Sequence, residues 1–138
     1  MLVAIQLACL VYLAVTGPLA ARFPVLLAVQ AAALLLGLWA VVVVRPWNVN
    51  VAPVLRPGAS LVTRGPYRWV RHPMYTAILV LTGVWLFTEF SPRRLVVWLA
   101  FVVNMVIKLL LEERYLASHF ERFREYKRGT WRLIPFLF

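Results

Sequence analysis

Two apolar runs, Thr76 to Phe90 and Leu95 to Leu111, are separated only by Ser91-Pro92-Arg93-Arg94. A run of this kind that crosses a bilayer must satisfy its backbone hydrogen bonds internally, so each is expected to be a helix. The chain then goes out and comes back. Two polar clusters, Arg64 to Tyr75 and the stretch from Glu112 onward, arrive at the same membrane face. Any site built by this chain is expected there.

Composition supports lipid as the surrounding solvent. Hydrophobic residues make up 63% of the 138 residues and charged residues only 14%. A soluble chain of this length cannot hide that much apolar surface. Four spans are expected: Leu2 to Ala20, Val25 to Val44, Met74 to Phe90 and Leu95 to Leu111. A span needs about 20 residues to cross the hydrocarbon core. The last two runs are slightly short, and Tyr75 and Lys108 can reach the interface from them. The runs do not alternate apolar and polar residues, which excludes a β-barrel. The fold class is therefore all-α and integral to the membrane. It has about four transmembrane helices, a loop, and an amphipathic C-terminal helix.

The chain reads as a single domain, 1–138. Residues 1–44 hold two N-terminal spans, 45–73 a loop, 74–111 the helical hairpin and 112–138 an interfacial tail. The loop carries Pro46, Pro53, Pro57, Pro66 and Pro73 with Gly58 and Gly65, so it cannot be one regular helix. In the tail, Tyr115, Phe120, Phe123 and Tyr126 recur at near-helical spacing among Arg and Glu, as in a helix lying on a membrane surface. Leu133 to Phe138 is apolar and is expected to dip back into the interface.

The net charge of +10 flanks the apolar runs. Anionic headgroups explain it better than nucleic acid does. Of the fifteen Lys and Arg residues, Arg22 follows the first run and Arg93 and Arg94 follow the third. The other twelve lie after the second run or at and beyond the end of the fourth. The positive-inside rule then puts both termini, the loop and the tail in the cytoplasm, with Arg93 and Arg94 counting against it. The N-terminus lacks the basic region of a signal peptide, so the first run reads as a retained span. The lone Cys9 excludes an intrachain disulfide. It and two histidines offer no zinc ligand set. No Ser-His-Asp arrangement, P-loop or Gly-x-Gly-x-x-Gly sequence is present.

Three features carry chemistry. Asn104, Lys108 and Glu112 stand at i, i+4 and i+8, and Tyr115 and His119 continue that face. Lys108 inside a span needs a partner or a wet pocket; an ion pair with Glu112 at headgroup level is the simplest one. Glu112 and Glu113 are helix neighbours, so their side chains point about 100° apart and at most one enters a given pocket. The other can fix the surrounding arginines. Carboxylates at this face suit an ammonium group or ribose hydroxyls. His72 precedes Pro73, a residue suited to the first turn of a helix, and Arg71 adds charge at that helix start.

Together these residues resemble the membrane methyltransferases typified by isoprenylcysteine carboxyl methyltransferase, and the related phospholipid N-methyltransferases. The similarity runs through Gly65-Pro66-Tyr67, Arg71-His72-Pro73-Met74-Tyr75, Glu112-Glu113, Phe120, Tyr126 and Arg132-Leu133-Ile134-Pro135, over about the last 75 residues. There are departures. Ala77 stands where glycine is usual, which narrows the room beside the third helix; Glu121 and Phe123 stand where glycine and tyrosine are common. The resemblance implies S-adenosylmethionine as cofactor, held between the third and fourth helices and the tail, and a lipophilic acceptor entering from the bilayer. It implies cofactor contacts from Arg71, His72, Pro73, Tyr75, Glu112, Glu113 and Tyr126. It implies catalytic roles for Arg132 and Glu112, with no metal. Carboxyl methylation of an isoprenylcysteine-like acid is the first expectation and phospholipid amine methylation the second. A carboxylate acceptor needs no base, whereas an amine gives one glutamate that role. The rivals are a non-enzymatic scaffold whose basic tail grips lipid, and a sterol reductase, for which the chain is short and lacks a nicotinamide motif.

Overall fold

The structure is a computed structural model that describes residues 1–44 and 61–135. Pro46, Pro53, Pro57, Gly58 and the end of the apolar tail lie outside the described residues. Among the described residues five α-helices follow one another: α1 (Leu2–Val15), α2 (Pro24–Val44), α3 (Pro73–Thr88), α4 (Pro92–His119) and α5 (Phe123–Arg128). Among the described residues there is no strand, only an isolated parallel bridge between Val70 and Trp131.

Proline sets three of the helix starts. Pro24, Pro73 and Pro92 each occupy the first helical position, where a missing N–H costs nothing. Ser91 caps α4, its hydroxyl accepting from the Arg94 backbone N–H at 3.3 Å.

Three expectations change. The first span stops at Val15 rather than Ala20, because the chain turns at Gly17-Pro18 to make way for Arg94. A Cβ on Gly17 would lie 1.7 Å from Arg94 Nη1. Arg94, expected at the surface, is buried and donates to the Trp85 carbonyl at 2.8 Å. The apolar run ends at Leu111 but its helix continues to His119, carrying both glutamates as the shared face of Lys108, Glu112, Tyr115 and His119 requires. The amphipathic tail helix is consequently split: its first part is the end of α4, the chain bends at Phe120, and α5 has only six residues.

Two helices, α2 and α4, are long and apolar enough to cross a membrane, while α1 and α3 are shorter apolar helices. The outer surface is apolar on α2, where Val25, Leu35, Leu38 and Val42 are exposed. A helix that is hydrophobic on nearly every face belongs in a protein core or a bilayer. Its buried positions are Gln30, Ala33 and Ala40. Gln30 pins the α1–α2 connection by accepting from the Ala21 N–H at 2.9 Å and donating to the Leu19 carbonyl.

The first four helices pack up and down. Gly37 of α2 faces Ala77 of α3, close enough that a Cβ at residue 37 would sit 3.3 Å from the Ala77 methyl. This revises the expected cost of Ala77: its methyl points at α2, and the space that a glycine would leave on α3 is left instead by Gly37. Leu2 and Gln6 of α1 meet Asn104 and Lys108 of α4, while Gly17 meets Arg94. The centre is filled by Leu13, Leu86, Phe101, Met105 and Leu109. Polar seams cross it: Trp98 Nε1 donates to Thr82 Oγ1 at 3.1 Å.

The Gly17 contact has a direct consequence. Gly17→Ala will displace the Arg94 guanidinium and strip its bond to Trp85, lowering the melting temperature in detergent. An unchanged melt would mean that the turn shifts at no cost.

Candidate functional site

The polar clusters meet where the N-terminus of α3 and the last turns of α4 come together with the tail. Gly65 opens the approach with φ 61°, a left-handed conformation that glycine adopts freely. A short 3-10 turn, Gly65–Arg68, leads from it toward α3. The tail then lies alongside this segment. Trp131 N–H donates to the Trp69 carbonyl at 2.9 Å, Arg71 N–H to Trp131 at 2.7 Å and His72 N–H to Arg132 at 3.1 Å. Thr76 Oγ1 adds a bond to the Leu133 carbonyl at 2.7 Å. Backbone pairing thus clamps the tail onto the mouth of α3, which neither segment's own sequence pattern announces.

Glu113 is the hub. Its carboxylate accepts from Arg71 Nε at 2.8 Å and from Arg132 Nε at 3.2 Å, and Lys127 Nζ stands 3.7 Å away. Arg71, itself buried, also donates to the Lys127 carbonyl at 3.1 Å, to Thr130 Oγ1 at 3.2 Å and to the Thr130 carbonyl. Burial alone would raise the Glu113 carboxyl, but His72, Arg71 and Arg132 outweigh it and hold the group at about 2. Glu113 lies two residues past Leu111, the last residue of the apolar run. Charge-assisted bonds of this kind, shielded from water, fix geometry as well as energy.

Glu112 points elsewhere, as neighbours on a helix must. It is half-buried and accepts a 2.7 Å hydrogen bond from the Tyr75 hydroxyl. The Tyr75 ring stacks on His72 with centroids 5.4 Å apart. Lys108 Nζ lies 5.4 Å from the Tyr75 centroid on a cation–π contact. The expected Lys108–Glu112 ion pair is not formed. Lys108 is buried and donates instead to Gln6 Oε1 of α1 at 3.1 Å. His72 Nε2 is buried, faces Glu113 Oε1 at 3.7 Å and makes no hydrogen bond among the described residues.

The tail closes over this arrangement. Tyr126 OH donates to the Tyr67 carbonyl at 2.6 Å. Burial raises the Tyr126 phenol to about 12 against the opposing pull of Arg71. The Tyr67 phenol is raised by burial and by the negative charge of Glu112. Both phenols therefore stay protonated, and Tyr126 acts as a hydrogen-bond donor. Phe123, the departure from the usual tyrosine, is buried against Tyr126. Beside α5, a cavity of about 780 Å³ is lined by Thr63, Arg68, Phe120, Glu121, Tyr126 and Thr130, among others. Tyr126 is the one residue of the expected cofactor set among its lining residues.

All the expected site residues fall at this end of the bundle. Arg71, His72, Glu113 and Arg132 form one cluster, Tyr75 and Glu112 an adjoining pair. Pro73 starts α3 in the buried wall, and Tyr126 latches the tail. Residue patterns did not reveal Lys127, Thr130 or Gln6. For Gln6 there was a usable signal, a lone amide in an apolar run, since such groups need a partner. For Thr130 there was none. Among the described residues no group of three or more His, Cys, Asp and Glu side chains could hold a metal ion.

An all-helical bundle with apolar outer faces and a buried ionic cluster at one end is the build of a membrane protein. Residues 24–118 match the isoprenylcysteine carboxyl methyltransferase family, and the chain belongs to it. That membership, with the two long apolar helices, makes it a membrane protein of a methyltransferase family. Among curated proteins it is similar to the cobalt-zinc-cadmium resistance protein CzcN of Cupriavidus metallidurans, 39% identical over 81 residues, which cover 58% of this chain and 38% of the relative. The nickel-cobalt-cadmium resistance protein NccN of Alcaligenes xylosoxydans xylosoxydans is 32% identical over 81 residues, again 58% of this chain and 38% of that one. YpbQ of Bacillus subtilis, an uncharacterized protein, is 41% identical over 34 residues, 25% of this chain and 19% of its own. The matched region spans less than two fifths of the length of these relatives. No solved structure matches.

Proposed function

We propose that this chain transfers a methyl group from S-adenosylmethionine to a lipophilic acceptor at the membrane face where Glu112 and Glu113 lie. The observation that carries this reading is the division of labour between the two glutamates. Glu113 is consumed by Arg71 and Arg132 and organises the site. Glu112 has Tyr75 as its hydrogen-bond partner and keeps acceptor capacity for a ligand.

The residues present fit the cofactor. A half-buried carboxylate suits its ammonium group or ribose, and His72 stacks on the Tyr75 ring that orients that carboxylate. The cavity beside Tyr126 is within the usual size range of a small-molecule site. Glu112, Tyr75, His72 and Tyr126 would hold it, and it supplies an electrophilic methyl on a sulfonium.

The protein's own contribution is then alignment and exclusion of water. Tyr75 orients the Glu112 carboxylate. Glu113 locks Arg71 and Arg132, and through them the tail, over the site. Arg132, half-exposed beside Glu113, is placed to meet an anionic acceptor once that acceptor arrives. Carboxyl methylation of an isoprenylcysteine-like acid fits that cation best; phospholipid amine methylation is the alternative and would ask Glu112 to take a proton. We place this face and both termini in the cytoplasm, with four crossings, by the distribution of basic residues. The relatives' part in metal resistance leaves room for another acceptor in the same chemistry.

The test is calorimetric titration of S-adenosylhomocysteine into the detergent-purified protein. Saturable micromolar binding that weakens in Glu112→Gln is expected. No binding to a well-folded sample would overturn the enzyme reading and favour a scaffold.

A further inference from the structure

At the opposite end of the bundle, α1 ends, α3 ends and α4 begins. A cavity of about 470 Å³ lies there, lined by Tyr12, Thr16, Glu89, Phe90, Arg93 and Arg94 together with the Ser91-Pro92 turn. Three observations set it apart from an ordinary loop crevice. Arg94 is only 3% exposed. One of its nitrogens bonds Trp85, but Nε and Nη1 are buried with no hydrogen-bond partner among the described residues. A guanidinium left in that state is costly unless something anionic or polar completes it. Second, the cavity adjoins the N-terminus of α4, a 28-residue helix whose dipole favours a negative group there. Third, Glu89 lines the same cavity as Arg93 and Arg94 and pairs with neither. Opposite charges held apart in one small cavity suit a ligand that carries both.

We propose that this cavity binds the headgroup of a zwitterionic aminophospholipid, with its phosphate toward Arg94, Arg93 and the α4 N-terminus and its ammonium toward Glu89. The placement suits a lipid. The cavity lies just beyond the apolar runs that end at Phe90 and resume at Leu95, which is headgroup depth for a crossing hairpin. The exposed Phe90 offers an apolar edge for the acyl region. The site is separate from the methyl-transfer face and does not depend on that activity.

Native mass spectrometry of the delipidated full chain in detergent tests this. The probes are phosphatidylethanolamine, phosphatidylglycerol and phosphatidylcholine, with inorganic phosphate as competitor. Phosphatidylethanolamine should be retained about tenfold better than phosphatidylglycerol, the equivalent of one charge-assisted hydrogen bond at its weaker end. Phosphate should not displace it, because the acyl region anchors the lipid. Glu89→Gln, at an exposed position that the fold does not use, should erase that preference while leaving phosphatidylglycerol retention unchanged. Arg93→Gln should weaken retention of all three lipids. Equal retention of the three by the native protein would overturn the proposal, as would an undiminished preference in Glu89→Gln. Displacement by inorganic phosphate would show a free-anion site in place of a lipid site.

Discussion

Glu113→Ala will destabilise the protein by about 3–5 kcal/mol, the cost of removing one partner from a buried ion pair and stranding the other. The stranded group is Arg71, which is buried and also tied to Lys127 and Thr130. Arg132 loses its carboxylate partner at the same time. Lys127 contributes little, since its side chain is 49% exposed and 3.7 Å away. The measurement is thermal unfolding in detergent, with cofactor-product binding followed on the same samples. A large fall in melting temperature is expected together with loss of binding. Glu113→Ala with a native melt would show that the cluster can be dismantled without consequence for the fold.

The same carboxylate gives a pH signature. Its folded value of about 2 lies below the ordinary 4.5, so its contribution is complete above about pH 4.5 and is lost as pH falls toward 2. The acid limb of the melting profile should therefore flatten in Glu113→Gln. A profile identical to the native one would remove Glu113 as its source.

Glu112→Gln should do the opposite: leave the melt nearly unchanged and cut S-adenosylhomocysteine affinity by about tenfold or more, the worth of one charge-assisted bond. The amide preserves shape and can still accept from Tyr75. What it loses is negative charge and the second acceptor oxygen facing a ligand. Tyr75→Phe should produce a smaller loss in the same direction, because it removes the donor that orients Glu112 and keeps the ring that stacks on His72. Combined with Glu112→Gln it should add little, since both changes remove one interaction. Full additivity would mean that Tyr75 acts independently of Glu112. Full affinity in Glu112→Gln would move the cofactor's anchor from Glu112 to the residues lining the cavity beside Tyr126.

The contrast between these two substitutions shows how differently sequence and structure speak. That Glu112 and Glu113 diverge follows from helix geometry alone, as does the convergence of Arg71-His72 with them through the Ser91-Pro92 turn. The start of the third helix was equally legible, because Pro73 permits a first turn and little else; the start at Pro92, three residues before the apolar run, was not read. So was the apolar exterior, which needs lipid whatever the packing.

Other features were decided only when distant segments met. The first helix stops at Val15 because Arg94, far along the chain, occupies the space over Gly17. Lys108 turns inward to Gln6 because α1 packs against α4 there; periodicity along α4 could suggest only the neighbour four residues on. Which glutamate organises and which is left for a ligand depended on where Arg132 arrives, and the tail is delivered there by backbone pairing with Trp69, Arg71 and His72. Local pattern fixes what a segment can do within a few turns of itself. A buried charge takes its role from whatever partner the tertiary structure brings, because outside water only direct neighbours can neutralise it.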